Sequence, residues 1–141
     1  MNALHKLAQG LLRHADEFRR AAERLSAEEP FLYHPTFYTV LHSIELGLKT
    51  HLALVGYTKK QLASKALGHN LGALVSEGHK SGAIPFLDAP SRRAITTNGK
   101  SYSEKCFEYP EFMVSTLPIG RWLRFAELLT SQAQLRVPIE Q

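Results

Sequence analysis

The strongest constraint on the fold is a stripe of polar residues along a helix that is predicted to be apolar on most of its other sides. Between Pro35 and Gly56, apolar residues recur at steps of three and four, the spacing of an α-helix. The same spacing carries a polar stripe formed by Tyr38, His42, Glu45 and Lys49. A helix that is apolar on most sides is usually central. Because unpaired buried charge is costly, the stripe must be paired, hydrated or functional, and it marks the place to look for a site.

The composition predicts one soluble globular domain that spans residues 1–141, with 44% hydrophobic and 21% charged residues. No apolar run approaches the ~18 residues that a membrane span needs, and the charged, amphipathic start of the chain does not resemble a secretory signal. Cys106 is the only cysteine, which excludes an internal disulfide framework and favours a cytoplasmic location. The net charge of +4 permits an anionic ligand but falls short of the dense basic face of a dedicated nucleic-acid binder.

Helical periodicity recurs along the chain and predicts an all-α, up-and-down bundle of five or six helices. The first helix should end near Ser26 and bury a stripe formed by Leu4, Leu7, Leu11, Ala15, Phe18, Ala22 and Leu25. Further helices are predicted from about Pro35 to Val55, Lys59 to Ala66, His69 or Asn70 to Ser81, and Pro118 to Gln134.

The segment 83–117 has the weakest pattern. Ser91 to Thr97 is compatible with a short helix, whereas Asn98-Gly99 is a hairpin signal. We favour the helix, because a lone two-stranded hairpin beside a helical core is marginal. The aromatic residues Phe107, Tyr109 and Phe112 around Pro110 are expected to hold an extended segment against the bundle.

Three short motifs occur in an order that resembles the HEPN superfamily (higher eukaryotes and prokaryotes nucleotide-binding domain). The first is Ser43-x-Glu45-x3-Lys49, the second is Gly68-His69-Asn70-Leu71, and the third is Phe107-Glu108-Tyr109-Pro110 before a final helix. The resemblance covers roughly residues 31–129. It implies a helical bundle that often pairs into a dimer and that works with a nucleotidyltransferase or another partner protein.

One departure from that family bears directly on activity. The members that cut RNA resemble one another in an Arg followed, after four to six residues, by a His, and no Arg of this chain is followed by a His at that distance. The nuclease activity therefore cannot be carried over from the resemblance. Glu108 also stands where the family usually has an Arg before Tyr-Pro, which argues against a phosphate contact at that point.

The polar stripe has two interpretations. In the functional one, His42 and His69 are acid/base or phosphate-handling groups and Lys49 holds an anion. In the structural one, which we favour, Glu45, Lys49 and His69 satisfy one another and fix the helices. A metal bound by His42, Glu45 and His69 is disfavoured because Lys49 on the same stripe would repel a cation. We predict no metal and no cofactor.

Other residues offer weaker signals. Arg92 and Arg93, with Lys100 and Lys105, form the densest basic cluster and are candidate phosphate contacts, although a solvated surface is the simpler interpretation. Cys106 beside Lys105 is expected to serve packing rather than chemistry. Ser43 should be solvated or bonded back to its own helix. The other histidines are scattered and predict no site.

The sequence thus predicts a non-catalytic HEPN-like binding or interaction domain, with no catalytic residue and with Tyr38, His42, Glu45, Lys49 and His69 as a ligand-binding stripe at most. The alternative is an RNA-cleaving or nucleotide-handling enzyme that uses His42, Lys49 and His69. A small metal-dependent hydrolase ranks last. We also expect a homodimer, because helix 1 and the final helix, with Trp122 and Phe125, carry more apolar surface than a bundle of this size needs. A nucleotide or RNA is the candidate ligand, and no membrane contact is expected.

Overall fold

The computed structural model describes residues 3–103 and 117–137, and these residues form helices and no strand. Five helices span ten residues or more: α1 (Ala3–Ser26), α2 (Tyr33–Leu54), α4 (Leu71–Lys80), α5 (Ala89–Asn98) and α7 (Ile119–Arg136). Two are single turns, α3 (Lys59–Leu62) and α6 (Lys100–Ser103). The predicted all-α bundle is confirmed. The expectations for Lys105, Cys106 and the aromatic segment around Pro110 lie outside the described residues.

Helix α2 is the centre of the bundle, as its apolar sides predict. It packs against α1, α7 and α4, and the other side of the bundle is formed by α5 and α6, which pack against α4. Even its polar positions Thr36, Ser43, Thr50 and His51 are fully buried. In the ranges 3–103 and 117–137, no helix combines the length and the apolar character that a membrane crossing demands.

The buried face of α1 matches the predicted stripe only in part, at Ala15 and Ala22. The residues that are fully buried are Ala8, Leu12, Ala15 and Ala22. Leu4, Leu7, Leu11 and Leu25 are only half-buried, and Phe18 is 37% exposed. The reason is the close approach of α1 to α2, since the Ser43 hydroxyl donates to the Ala15 carbonyl at 2.7 Å. Small side chains fit such a seam, so alanines and the single leucine Leu12 are buried, and the four half-buried leucines flank the seam.

The apolar face of α7 is covered within the chain. Trp122 and Leu129 are fully buried and Phe125 is 6% exposed. Gly47 of α2 lets α7 come close, because a Cβ added at that glycine would lie 3.0 Å from the Leu129 Cβ. The expectation that Trp122 and Phe125 would leave an exposed surface for a second subunit is therefore wrong. These two side chains fill the core of the single chain.

The helix ends are set by capping residues and glycines, most of which the sequence predicts. Helix α2 begins at Tyr33, two residues before Pro35, and stops at Gly56, whose φ of 109° is left-handed. The Tyr57 amide then donates to the Leu52 carbonyl at 3.1 Å, which closes the helix end. Thr58 forms a capping box with Gln61, although α3 ends at Leu62 and not near Ala66.

Side-chain caps also set α4 and α5. Asn70 accepts from the Ala73 amide at the start of α4, as predicted. Asp88 accepts from the Ser91 amide and begins α5. Ser91 to Thr97 lies inside that helix, so the helix interpretation of this segment is confirmed and the hairpin signal at Asn98-Gly99 is wrong. With Asp88 as a cap, the segment has a helix start that outweighs the turn signal at its end.

Candidate functional site

The polar stripe of α2 converges on one buried carboxylate. Glu45 is 2% exposed, yet three side chains contact its two oxygens. Lys49 Nζ lies 3.0 Å from Oε2, His69 Nδ1 lies 2.8 Å from Oε1, and the Tyr102 hydroxyl donates to Oε1 at 2.6 Å. His42 Nδ1 lies 3.0 Å from the Tyr102 hydroxyl and 3.8 Å from Oε1. We call these five residues the Glu45 cluster.

Three separate elements bring the Glu45 cluster together. His42, Glu45 and Lys49 lie on one face of α2. His69 comes from the turn before α4, where Asn70 is the cap and so holds the residue before it at the helix start. Tyr102 comes from α6, which is tied to the start of α4 because the Leu71 amide donates to the Ser103 hydroxyl at 3.1 Å. The turn and α6 thus close over the middle of α2.

The electrostatics favour an ionised Glu45. Burial works to raise the pKa of this carboxyl, but the contacts of His42, Tyr102 and His69 and the charge of Lys49 outweigh burial and lower the pKa to about 2. Burial and the neighbouring carboxylate raise the pKa of Tyr102. The phenol therefore stays protonated and donates a hydrogen bond to Glu45.

The hydrogen-bond directions fix the protons of both imidazoles. Because the Tyr102 hydroxyl donates to Glu45, its oxygen can only accept from His42 Nδ1, which must carry a hydrogen. His69 Nδ1 faces a carboxylate and must also carry a hydrogen. His69 is 58% exposed and His42 is 24% exposed, so both rings link the buried carboxylate to the surface.

Of the residues predicted from the stripe, all five lie together. Tyr38 is 43% exposed and packs by its ring against His42, with centroids 6.3 Å apart, and against Tyr102, with centroids 5.8 Å apart. Lys49 is 12% exposed and is held by Glu45. Phe18 of α1 meets the other side of His42 edge-on, at a centroid distance of 4.6 Å. Tyr38 therefore belongs to an outer aromatic rim and makes no contact with the carboxylate.

The predicted phosphate contacts Arg92 and Arg93 do not join this cluster. They lie on α5, where they line a cavity of about 260 Å³ together with Gly72, His79, Thr96 and Thr97. An adjoining cavity of about 580 Å³ shares Gly72, Thr96 and Thr97 with it, and we call the two together the α4–α5 groove. Arg92 Nη1 donates to the Leu87 carbonyl at 2.6 Å, and Arg93 is exposed.

Sequence reasoning missed Tyr102 and His51. Tyr102 sits in a four-residue helix without a periodic pattern, so nothing near it in the sequence points to Glu45. His51 is fully buried, and its Nε2 lies 2.9 Å from the Leu129 carbonyl. Burial lowers the pKa of His51 to about 4, so the ring is neutral and Nε2–H donates. The position of His51 on the apolar side of α2 was the one sequence signal that could have predicted its burial.

Ser43 differs from its prediction as well. It was expected to be solvated or bonded to its own helix, but it is fully buried and donates across to the carbonyl of Ala15. The reason is the tight seam between α1 and α2, where only a small polar side chain fits. Ser43 is thus a structural residue of that seam.

The described residues contain no group of three or more His, Cys, Asp or Glu side chains arranged to hold a metal ion. Within the Glu45 cluster, the ammonium group of Lys49 occupies one carboxylate oxygen, which a cation would have to displace. Comparison of the chain with protein-family models, with curated proteins and with solved structures found no match.

Proposed function

We propose that this chain is a non-catalytic, HEPN-like binding and interaction domain. The observation that carries the proposal is the closure of the Glu45 cluster, in which both oxygens of a carboxylate that is 2% exposed are already occupied by side chains. A closed network of this kind orients helices and satisfies buried polar groups. Burial and these contacts leave a substrate little access to the carboxylate of Glu45.

The pairing of Lys49 with Glu45 favours a binding domain over an enzyme. Cleavage of RNA through its 2′-hydroxyl needs a base and also a cation that stabilises the developing charge on the phosphate. Lys49 lies 3.0 Å from Glu45 and is only 12% exposed. The ammonium group of Lys49 is therefore paired with the Glu45 carboxylate, and it would have to break this pair to contact a phosphate.

The surface beside the cluster supports the interaction part of the proposal. Four large apolar side chains in the second half of α1, in the following loop and in α2 are exposed by 37–43%: Phe18, Phe31, Leu32 and Tyr38. Exposed apolar surface of this kind commonly marks a protein interface. We propose that a second copy of the chain covers it in a two-fold homodimer, and that the dimer works with a nucleotidyltransferase or another partner protein, as the resemblance implies.

One observation favours an enzyme as the second candidate. The Glu45 carboxylate holds His69 Nδ1 at 2.8 Å while 58% of the His69 side chain remains exposed. A buried carboxylate that orients an accessible imidazole is the arrangement by which hydrolytic triads prepare a general base. The enzyme would be an RNA-cleaving or nucleotide-handling protein with His69 as its base and His42 beside it.

A cleavage assay separates these two candidates. Repurified protein is incubated with labelled single-stranded RNA, in parallel with His42→Ala and His69→Ala. We expect no cleavage by any of the three proteins. Cleavage that persists through repurification and disappears in His69→Ala would establish the enzyme.

Light scattering at tens of micromolar tests the dimer. We expect twice the monomer mass of 15.8 kDa, and we expect Tyr38→Lys to dissociate the dimer because it places a charge in the apolar surface. A monomer mass for the parent protein would refute this part of the proposal.

A further inference from the structure

We infer that the α4–α5 groove is a binding site for the phosphate groups of a nucleotide or a short oligonucleotide. The inference goes beyond the proposed function, because the groove shares no side chain with the Glu45 cluster or with the aromatic surface. It rests on the shape of the groove, on the charges around it and on the way those charges are partnered.

The shape comes from two adjoining cavities. The larger, of about 580 Å³, lies at the start of α4 and reaches Lys100 and Ser103 of α6. The smaller, of about 260 Å³, extends along α4 and α5 to His79, Arg92 and Arg93. Both are lined by Gly72, Thr96 and Thr97, so the two cavities adjoin at the contact between α4 and α5, and together they make up the groove. Ligand sites commonly measure ~300–1,000 Å³, which is the range of this groove.

Gly72 keeps the floor of the groove open. A Cβ added at this position would lie 3.1 Å from Cγ2 of Thr96. The Thr96 side chain of α5 therefore packs directly against the α4 backbone at Gly72, and a larger residue there would press on Thr96 and alter the lining that the two cavities share.

The charges around the groove are of one sign. Arg92, Arg93 and His79 border the smaller cavity, and Lys100 borders the larger. Among the described residues, none that lines either cavity is acidic. Ser76, Thr96 and Thr97 add hydroxyl groups to the lining, whereas the Ser103 hydroxyl already donates to the Gly99 carbonyl. Guanidinium groups and hydroxyls are the donors that phosphate oxygens accept from.

The partners of these groups leave donors for a ligand. Arg92 uses Nη1 for the Leu87 carbonyl, which occupies one of its five N–H groups. The neighbouring acid is Asp88. Hydrogen bonds that Ser91 donates to the carboxylate lower the pKa of Asp88, and the charges of Arg92 and Arg93 lower it further. Its carboxylate caps α5, and within the described ranges no carboxylate lies at salt-bridge distance from Arg93.

The lining favours phosphate over an acidic peptide. Protein and peptide partners are anchored by apolar and aromatic contacts, and Val75 is the one large apolar residue among those that line the groove in the described part of the chain. The lining there also lacks an aromatic ring on which a base could stack. We therefore expect recognition of the phosphate and sugar backbone, with little preference for base or sequence.

Fluorescence anisotropy with a labelled short oligouridylate tests the inference, with AMP, ATP, inorganic phosphate and polyglutamate as competitors. Arg93→Glu should weaken binding at least tenfold, because it replaces an attraction by a repulsion. Arg124→Glu is the matched control, since it makes the same charge change at an exposed position on α7, and it should leave the affinity within about twofold.

Each result supports or overturns the inference. Competition by mononucleotides identifies a nucleotide site, and binding of the oligonucleotide alone identifies a backbone site. No binding of either, equal losses in Arg93→Glu and Arg124→Glu, or displacement by polyglutamate as strong as by nucleotides would overturn it. Circular dichroism melts of each variant establish that it is folded. Cleavage and light scattering depend on other residues, so failure here leaves the proposed function intact.

Discussion

The Glu45 cluster and the α4–α5 groove are both polar and both carry several basic groups, but they treat charge in opposite ways. In the cluster, the carboxylate is 2% exposed and three side chains contact its oxygens. In the groove, arginines border open space and no described lining residue is acidic. A charge that is satisfied from within stabilises the fold, whereas charges that face an opening remain available to a ligand. The types of polar residue in a cluster therefore indicate its function less reliably than whether those residues already have partners within the chain.

The largest effect should come from Lys49→Met, which removes the charge that faces Glu45 Oε2. Breaking a buried pair typically costs ~3–5 kcal/mol, because the remaining charge is left uncompensated. We expect a loss of that order in the free energy of unfolding measured with urea. Lys6→Met, at an exposed position of α1, should change it by less than about 0.5 kcal/mol. Equal stability of Lys49→Met and the parent would show that the cluster is not structural.

Acid should destabilise the protein by a similar or slightly smaller amount. Burial lowers the pKa of His51 from 6.5 to about 4 in the folded state. Between pH 6.5 and 4 the unfolded chain binds a proton at His51 that the folded chain does not bind. The contribution of neutral His51 to the free energy of unfolding is therefore complete above pH 6.5 and is lost as the pH falls toward 4. The shift corresponds to about 3 kcal/mol. Glu45, with a pKa lowered from 4.5 to about 2, adds a loss below pH 4.5.

Urea unfolding at pH 7.5, 5.5 and 4.5 checks the contribution of His51. His51→Asn keeps a donor for the Leu129 carbonyl but cannot titrate. The variant should therefore lose stability less steeply than the parent over this range. Parallel pH profiles for the two proteins would contradict the assignment.

A smaller effect is expected for Tyr102→Phe, which removes the hydroxyl between Glu45 and His42. A hydrogen bond to a charged group contributes ~1.5–3 kcal/mol. Tyr57→Phe is the matched control, because the Tyr57 hydroxyl also donates to a carboxylate, that of Glu77, at 2.6 Å. Tyr57 and Glu77 are only half-buried, so the cost there should be under about 1 kcal/mol. Equal costs would remove the distinction between a closed cluster and an accessible pair.

The smallest effect should come from Arg93→Glu, which reverses a charge in the groove. Because Arg93 is exposed, its substitution should change the free energy of unfolding by less than about 0.5 kcal/mol. Urea unfolding of this variant beside Lys49→Met completes the comparison. A large loss in Arg93→Glu would mean that the groove, like the cluster, is held together by its charges.

The sequence predicted the features that depend on neighbours along the chain. Periodicity located α2 and its stripe, and the caps at Thr58 and Asn70 located the starts of two helices. Of the buried side of α1, Ala15 and Ala22 were predicted, whereas the burial of Ala8 and Leu12 in place of Leu7 and Leu11 depends on how closely α2 approaches. Tyr102 could not be predicted because it lies 57 residues from Glu45. The groove could not be predicted because it depends on how α4 and α5 are placed relative to each other. The pair Arg92 and Arg93 gives no indication of that placement.

The spread of the Glu45 cluster along the chain has a consequence for the order of folding. Lys49 is four residues from Glu45, but His69 is 24 and Tyr102 is 57 residues away. Contacts between distant residues form after the chain has closed the intervening loops. The pair within α2 should therefore be present in the folding transition state, and the Tyr102 contact should form after it. Tyr102→Phe should then accelerate unfolding while leaving the refolding rate almost unchanged, so this hydroxyl would lengthen the lifetime of the native state.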